Sequence, residues 1–136
     1  MANLKDNIAS NEKVSSALAQ YAWKKRQLII FAPNSDHKQY KLFKEYQIDF
    51  SEDFLDRKLQ TWFVIGDNVL MMDTTIEVEL KNNDFREIFQ VNKDEFRLIL
   101  VGYDQVEKLR LGEANIDLIF SKIDQMPMRQ SEIQDK

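Results

Sequence analysis

The chain contains no cysteine, and this absence excludes several kinds of chemistry. Without a thiol there is no disulfide, no thiolate nucleophile and no cysteine-ligated metal. Dithiol oxidoreductase and peroxidase activities are excluded as well, because thiol–disulfide exchange needs sulfur. Histidine is nearly absent too, since His37 is the single one, and this rules out an ordinary zinc cage. We therefore expect no metal and no cofactor.

Other features are also scarce. The three glycines and two prolines are too few for a loop-rich sandwich. No apolar run approaches the roughly 20 residues that span a bilayer, so we expect no membrane span. The net charge of −4 disfavours nucleic acid as a partner. Residues 1–10 lack the apolar region of a signal peptide, so the sequence as written predicts a cytoplasmic protein; a removed leader would make it periplasmic or secreted.

The residues that are present suit one packed core. Apolar residues make up 43% of the 136 residues and aromatic residues 11%, as in a folded globular domain. We predict a single domain over residues 1–136, with a core between about residues 14 and 132. No internal repeat and no linker interrupts it.

Apolar patterning in the first half of the chain predicts an α/β fold. Two short apolar runs, Leu28–Phe31 and Thr61–Ile65, are typical of strands buried on both faces of a parallel sheet. A helix from about Val14 is expected to end in the basic run Lys24–Arg26, where cations suit the helix dipole. A second helix is expected to begin at a Ser35 cap.

The second half of the chain completes the mixed sheet. It contains a charged turn, an uncertain segment over residues 69–82, a short helix, two strands joined by a tight antiparallel connection, and a closing helix. The charged turn is predicted at residues 52–58, and an amphipathic strand within the uncertain segment at Ile76–Leu80. The short helix is predicted at Asp84–Phe89 and the two strands at Phe96–Val101 and Val106–Leu111. The closing helix is predicted from Ile116, capped by Asn115 and stopped by Pro127.

Five segments resemble a known family: Tyr21–Arg26 with Leu28–Pro33, Asp56–Arg57, Leu100–Asp104, Lys108–Arg110 and Ile123–Glu132. Together they resemble the domain-of-unknown-function family 4174, from about Leu18 to Glu132, and the last two segments are specific. The resemblance implies a thioredoxin-like three-layer α/β/α fold with a central mixed sheet of about four to five strands. It also implies a domain that occurs alone in bacteria, is shared with vertebrate secreted sushi-repeat proteins and has no established activity.

Two departures from related folds affect the expected chemistry. The family usually has a Gly-Gly pair in the hairpin turn, where this chain has Gln105-Val106, so the turn cannot rely on glycine's tolerance of positive φ. A thioredoxin-like enzyme would place its redox cysteine just after the first strand, where this chain has Asn34–His37. Its cis-proline position is occupied by Lys93–Glu95. Both halves of a redox site are missing.

The segment after the first strand remains a candidate ligand site. Its residues are Asn34, Ser35, Asp36 and His37, and the free N–H groups of a helix start can bind a small anion. Asp36 would oppose an anion, and Ser35 and His37 lie too close along the helix to converge in a triad. We predict no catalytic residue.

The family motif supplies the second candidate site, with either a structural role or a partner-binding role. In the structural interpretation, Trp23 anchors the first helix on the sheet, and Met126 and Met128 fill gaps in the core. Arg129 and Asp124 then pair either with each other across the helix end or with Lys108, Arg110 or Asp104 near the hairpin. In the other interpretation, Lys108, Arg110 and Arg129 present positive charge to a partner. The motif residues are Trp23, Arg26, Arg57, Asp104, Lys108, Arg110, Asp124, Met126, Pro127, Met128 and Arg129.

These observations favour a non-redox binding or protein-interaction module, expected as a monomer or weak homodimer with a protein partner. The alternative is a cysteine-independent enzyme, or a small-ligand or anion binder, that uses the sheet end near Asn34–His37. A concave pocket there would favour the alternative, whereas filling of that region by Tyr40 and Tyr103 would oppose it. Self-association through exposed aromatic residues is a third hypothesis.

Overall fold

A mixed six-stranded sheet lies at the centre of the described residues, which are 12–71, 76–77 and 80–135 in this computed structural model. Its strands are β1 (Arg26–Ala32), β2 (Leu59–Ile65), β3 (Asn68–Met71), β4 (Ile76–Glu77), β5 (Arg97–Val101) and β6 (Glu107–Leu111). They lie side by side in the order β4-β3-β2-β1-β5-β6. β1 and β2 are parallel, and every other pairing is antiparallel.

Helices cover both faces of this sheet. They are α1 (residues 12–19), α2 (Lys38–Asp49), α3 (Ser51–Asp56), α4 (Asn82–Phe89), α5 (Ile116–Asp124) and α6 (Pro127–Gln134). None of the helices in the described part of the chain combines the length and the apolar character that crossing a membrane requires.

Alternation along β1 divides the core into two halves. Leu28 and Ile30 pack into one cluster with residues of α2, α3 and α5, whereas Ile29 and Phe31 pack into a second cluster with residues of α1 and α4. Successive side chains of a strand point to opposite faces, so a fully apolar strand needs helices on both sides. The predicted three-layer α/β/α class with a mixed sheet is therefore confirmed.

β1 begins at Arg26, two residues before the apolar run, because the buried polar side chains at its start form hydrogen bonds. Gln27 is fully buried, donates from Nε2 to the carbonyl of Leu18 at 2.9 Å and accepts from Trp62 Nε1 at 2.7 Å. A buried polar group is tolerated where its hydrogen bonds are made. Gln27 thus fixes the end of α1 against the sheet, a role that apolar patterning could not predict.

Two predicted helix boundaries are wrong. The basic run does not end the first helix, because α1 ends at residue 19 and residues 20–24 form turns. Ser35 does not cap α2. The cap is His37, whose Nδ1 accepts from the backbone N–H of Gln39 at 3.2 Å. Its ring stacks on Phe96, with 5.5 Å between centroids, which holds it in the capping position.

The predicted charged turn contains the helix α3, which brings Phe54 into the core against Phe43 and Phe120.

Pro127 stops the preceding pattern as predicted and also begins α6, since proline is well suited to the first turn of a helix. The sheet gains β3 within the segment that patterning left uncertain. Of the predicted strand Ile76–Leu80, positions 78 and 79 lie outside the described residues.

The turn between β5 and β6 uses positive φ without a glycine at that position. Gln105 adopts φ +66° and donates its N–H to the carbonyl of Gly102 at 3.0 Å. The N–H of Gly102 in turn donates to the carbonyl of Val106 at 3.0 Å. A glutamine therefore occupies a backbone conformation that glycine adopts at lower cost.

Candidate functional site

Most of the family motif residues converge at one end of the sheet, although Arg110 lies opposite Ile99 in the middle of β5. β1 begins there with Arg26, which pairs with Leu59 at the start of β2, and β5 ends there just before Tyr103. The connection from α5 to α6 also lies there, since residues on both sides of it bond to groups near these strand ends. Asn34–His37 follows β1 and therefore lies at the opposite end of the sheet.

Arg26 lies at the centre of this end and is fully buried. Its Nη1 donates to the carbonyl of Arg57 at 2.9 Å, to the hydroxyl of Tyr103 at 3.1 Å and to Oε1 of Glu132 at 3.1 Å. The guanidinium also lies over the Tyr103 ring, with 4.2 Å from Cζ to the centroid. Arg26 therefore connects β1 with the start of β2, the β5–β6 turn and α6.

Arg129 is the second buried guanidinium, with 3% of its surface exposed. Its Nε donates to Asp124 at 3.0 Å, and its Nη2 and Nη1 donate to the carboxylate and the carbonyl of Asp56 at 2.6 and 3.1 Å. The predicted pairing of Arg129 with Asp124 is thus present. Because Arg129 is buried, it does not present charge to a partner.

Arg57 completes the network from the α3–β2 connection. Its Nε and Nη2 donate to the two carboxylate oxygens of Asp124 at 3.1 and 2.8 Å, a bidentate arrangement. Its guanidinium also lies over Phe120, with 4.1 Å from Cζ to the centroid. The three guanidinium groups therefore contact the carboxylates of Asp56, Asp124 and Glu132, and Nη1 of Arg57 also lies 3.4 Å from the half-exposed carboxylate of Asp53. Each buried cation thus has a counterion, as a buried ionic network requires.

The surroundings of these groups shift their pKa values. Burial acts to raise the pKa of Asp124, but hydrogen bonds from Arg57 and Arg129 outweigh it and the pKa is lowered. The pKa of Glu132 is lowered in the same way, since bonds from Tyr103 and Arg26 outweigh its burial. Burial, together with a 2.5 Å hydrogen bond to Glu132, raises the pKa of Tyr103 to about 12. Asp124 and Glu132 are therefore ionised and Tyr103 is neutral near pH 7.

Three members of the network were not singled out from the sequence: Asp56, Tyr103 and Glu132. Each lies inside a family segment, so the segments contained them without indicating a role. The helical spacing of Glu132 three residues after Arg129 is a signal that could have found one of them. For the other two no local pattern exists, because their partners lie 73 and 77 positions away along the chain.

Trp23 does not anchor the first helix, contrary to the structural interpretation. Its side chain is 66% exposed, and its backbone has φ +64°, an uncommon conformation for a bulky residue. Its N–H donates to the carbonyl of Tyr103 at 3.0 Å, which fixes the turn. Met126 packs against the core as predicted, whereas Met128 is about half exposed. Trp23 and Met128 are therefore held at the surface beside the buried network.

A small hollow of about 120 Å³ lies between these side chains. Its lining includes apolar atoms of Trp23, Met126 and Met128 together with Arg26 and Lys108. It is far smaller than the several hundred cubic ångströms of a typical cofactor pocket. The hollow can therefore accept one small group.

The remaining basic residues of the motif do not form a common positive surface. Lys108 pairs with Asp104 at 2.9 Å, and this hydrogen bond is the main cause that lowers the pKa of Asp104. Arg110 pairs with Glu107 at 2.9 Å and donates to the carbonyl of Phe89 at 2.7 Å. Both charges are thus offset locally.

The residues after β1 bond mainly among themselves. Asn34 Oδ1 accepts from the N–H of Asp36 at 2.9 Å, and His37 occupies an N–H group at the start of α2. Tyr40 is buried in the core below, whereas Tyr103 lies at the other end of the sheet and does not fill this region. The N–H of Gln39 at this helix start is therefore bonded to His37 and is not open to an anion.

A wider groove lies on another surface, with a volume of about 640 Å³. Ile48 and Leu55 line it, and their side chains are 73% and 72% exposed. It shares no lining residue with the hollow beside Trp23. Leu55 is therefore a suitable reference position for experiments on Trp23.

The fold and the site define a cysteine-free α/β domain whose sheet is closed at one end by a buried arginine–carboxylate network. Residues 17–132 match the family described as "Domain of unknown function (DUF4174)", and the chain belongs to that family. No curated protein and no solved structure matches the chain.

Proposed function

We propose that the protein is a non-redox interaction module that binds another protein through the surface around Trp23. The observation that carries this proposal is the exposed Trp23, held by a left-handed backbone at the edge of a hollow. A tryptophan that is not needed for packing and is fixed in position fits a binding surface, since tryptophan and methionine are enriched there. Exposed Met128, which lines the same hollow, adds apolar area beside Trp23.

The strand order supports a thioredoxin-like arrangement without redox chemistry. β2, β1, β5 and β6 are adjacent in that order, with a parallel first pair and an antiparallel hairpin before the closing helix α5. The position after β1 carries Asn34–His37 in place of a thiol. A fold that lacks its usual nucleophile is better suited to binding than to exchange chemistry.

The test is affinity capture from the organism that encodes the protein, with the wild type compared with Trp23→Ala. We expect one or more proteins to be retained by the wild type and lost with Trp23→Ala. The matched control is Leu55→Ala, which removes an equally exposed apolar side chain on another surface. Circular dichroism checks that both variants are folded. An identical set of proteins from the wild type and Trp23→Ala would refute the proposal.

A further inference from the structure

His37 is the single histidine of the chain, and histidine is the residue whose side chain ordinarily changes charge between pH 5 and pH 8. Its ring is half-buried rather than free in solvent. It stacks on Phe96, with 5.5 Å between the centroids and 10° between the ring planes. A change of charge in this pH range therefore takes place inside a packed contact.

The hydrogen bond between His37 and the start of α2 requires a neutral ring. Nδ1 accepts from the backbone N–H of Gln39 at 3.2 Å. A ring nitrogen accepts only while it carries no proton, and in the protonated ring both nitrogens are donors. The proton of the neutral ring is therefore on Nε2. Protonation makes Nδ1 a donor that faces another donor, and it adds positive charge at a helix N-terminus, which the helix dipole disfavours.

The protonated ring has no orientation that keeps both of its contacts. A half-turn about the Cβ–Cγ bond preserves the stack on Phe96 but places a carbon, Cδ2, at the former position of Nδ1. Movement of the ring into solvent uncovers Phe96, which packs in the core and is 5% exposed. In both cases the N–H of Gln39 loses its acceptor.

A second hydrogen bond connects this cap to the start of α5. Oε1 of Gln39 accepts from the backbone N–H of Ala114 at 2.8 Å. Ala114 is buried and directly precedes Asn115, which caps α5. Because one residue makes both bonds, release of the Gln39 N–H also loosens the side chain that holds Ala114.

The charged groups around His37 do not offset the loss of this cap. Asp36 pairs with Lys41 at 3.9 Å and Glu95 with Arg97 at 2.9 Å, and no ion pair within the described part of the chain includes His37. Aspartate, glutamate, lysine and arginine ordinarily keep one charge between pH 5 and pH 8, so pH acts on this region through His37. The other charged residues on the segments packed here are Lys38 on α2, Lys93 and Asp94 before Phe96, and Glu113 before Ala114.

We propose that His37 is a pH-sensitive cap, which keeps the first turn of α2 closed while its ring is neutral and releases that turn when the ring is protonated. The direction follows from the hydrogen bond, since the cap is intact towards pH 8 and is lost as pH falls towards pH 5. Release also loosens Ala114 and the connection from β6 to α5. This end of the sheet is opposite the Trp23 surface, so the switch does not depend on the function proposed above.

The test is amide hydrogen exchange of the full chain, followed by NMR between pH 5 and pH 8 and expressed as protection factors, which correct for the intrinsic effect of pH. We expect the protection factor of the Gln39 N–H to fall about ten-fold from pH 8 to pH 5, the size expected for loss of a helix cap. The Ala114 N–H should lose protection over the same range, whereas the N–H of Ile99, buried in the centre of β5, should not. Nitrogen-15 spectra of the ring should show the proton on Nε2 at pH 8.

Two substitutions at position 37 isolate the titration of the ring. His37→Asp supplies a capping oxygen that stays ionised over this range, and it should keep Gln39 protected at every pH. His37→Ala removes the acceptor and should give low protection at every pH. Thermal melting checks that both variants are folded, and the ring spectrum of the wild type needs no variant.

Three results would overturn the inference. They are a proton on Nδ1 at pH 8, a protection factor of Gln39 that does not change with pH, and the same change with pH in His37→Asp as in the wild type. A change at Gln39 without one at Ala114 would confine the switch to α2 and overturn its connection to α5.

Discussion

Replacing Arg129 with alanine should destabilise the domain strongly. The substitution removes a guanidinium that is 3% exposed and joins Asp124 of α5 to both the carboxylate and the carbonyl of Asp56. Loss of one partner from a buried ion pair typically costs about 3–5 kcal/mol, because the remaining charge is left buried. We expect the free energy of unfolding to fall.

The exposure of the partners sets the size of this loss within that range. The side chains of Asp124 and Asp56 remain 37% and 33% exposed, so water can solvate both once Arg129 is gone. The loss should therefore lie near the lower end, at about 3 kcal/mol. For a domain of this size, that corresponds to a decrease of about 12 °C in melting temperature.

Urea denaturation measures the change, with circular dichroism and the fluorescence of the buried Trp62 as probes. Arg110→Ala is the matched control, since its pair with Glu107 is at the surface and should contribute less than about 1 kcal/mol. Arg129→Lys should fall between the wild type and alanine, because lysine keeps the charge but not the planar fork. If Arg129→Ala changes stability no more than Arg110→Ala does, the network is not structural and the reasoning fails.

Three further predictions concern single groups. Ultraviolet titration should show one tyrosine that ionises only near pH 12, and this step should be missing in Tyr103→Phe. Because the pKa of Tyr103 is raised on folding, the stability that this group provides is complete below about pH 10 and is lost as pH rises through 12. The lowered pKa of Asp124 predicts the reverse: its contribution to stability is present above about pH 4 and is lost as pH falls through the folded-state pKa. In acid, the midpoint of urea denaturation should therefore depend less on pH in Asp124→Asn than in the wild type. Gln105→Gly should raise the free energy of unfolding by about 0.5–1 kcal/mol by relieving positive φ, whereas Gln105→Ala should show no such gain in calorimetry.

The layers of the fold could be predicted because apolar periodicity follows directly from burial. Leu28–Phe31 and Trp62–Ile65 are apolar at every position, and a strand of that kind must be covered on both faces. Helix starts were harder, since Ser35 and His37 both have capping side chains. Stacking on Phe96, 59 positions further along the chain, is the contact that distinguishes His37.

The site could be predicted only in part. Family resemblance identified Arg26, Arg57, Arg129 and Asp124, but it did not identify Asp56, Glu132 or Tyr103, which also bind these arginines. The exposure of Trp23 could not be predicted either, because a tryptophan at helical spacing usually packs inward. It turns outward because α1 ends at residue 19 and the following turns place Trp23 in a left-handed conformation.

The contacts of α6 have a consequence for the order in which the chain can become stable. Arg26 is buried from the start of β1, but its carboxylate partner Glu132 follows 106 positions later. On a ribosome that adds about 5–20 residues per second, the arginine waits at least about 5 seconds for that partner. A nascent chain or fragment that stops before α6 therefore has a cation in its core without its counterion, and it should be a target for chaperones and proteases until α6 docks.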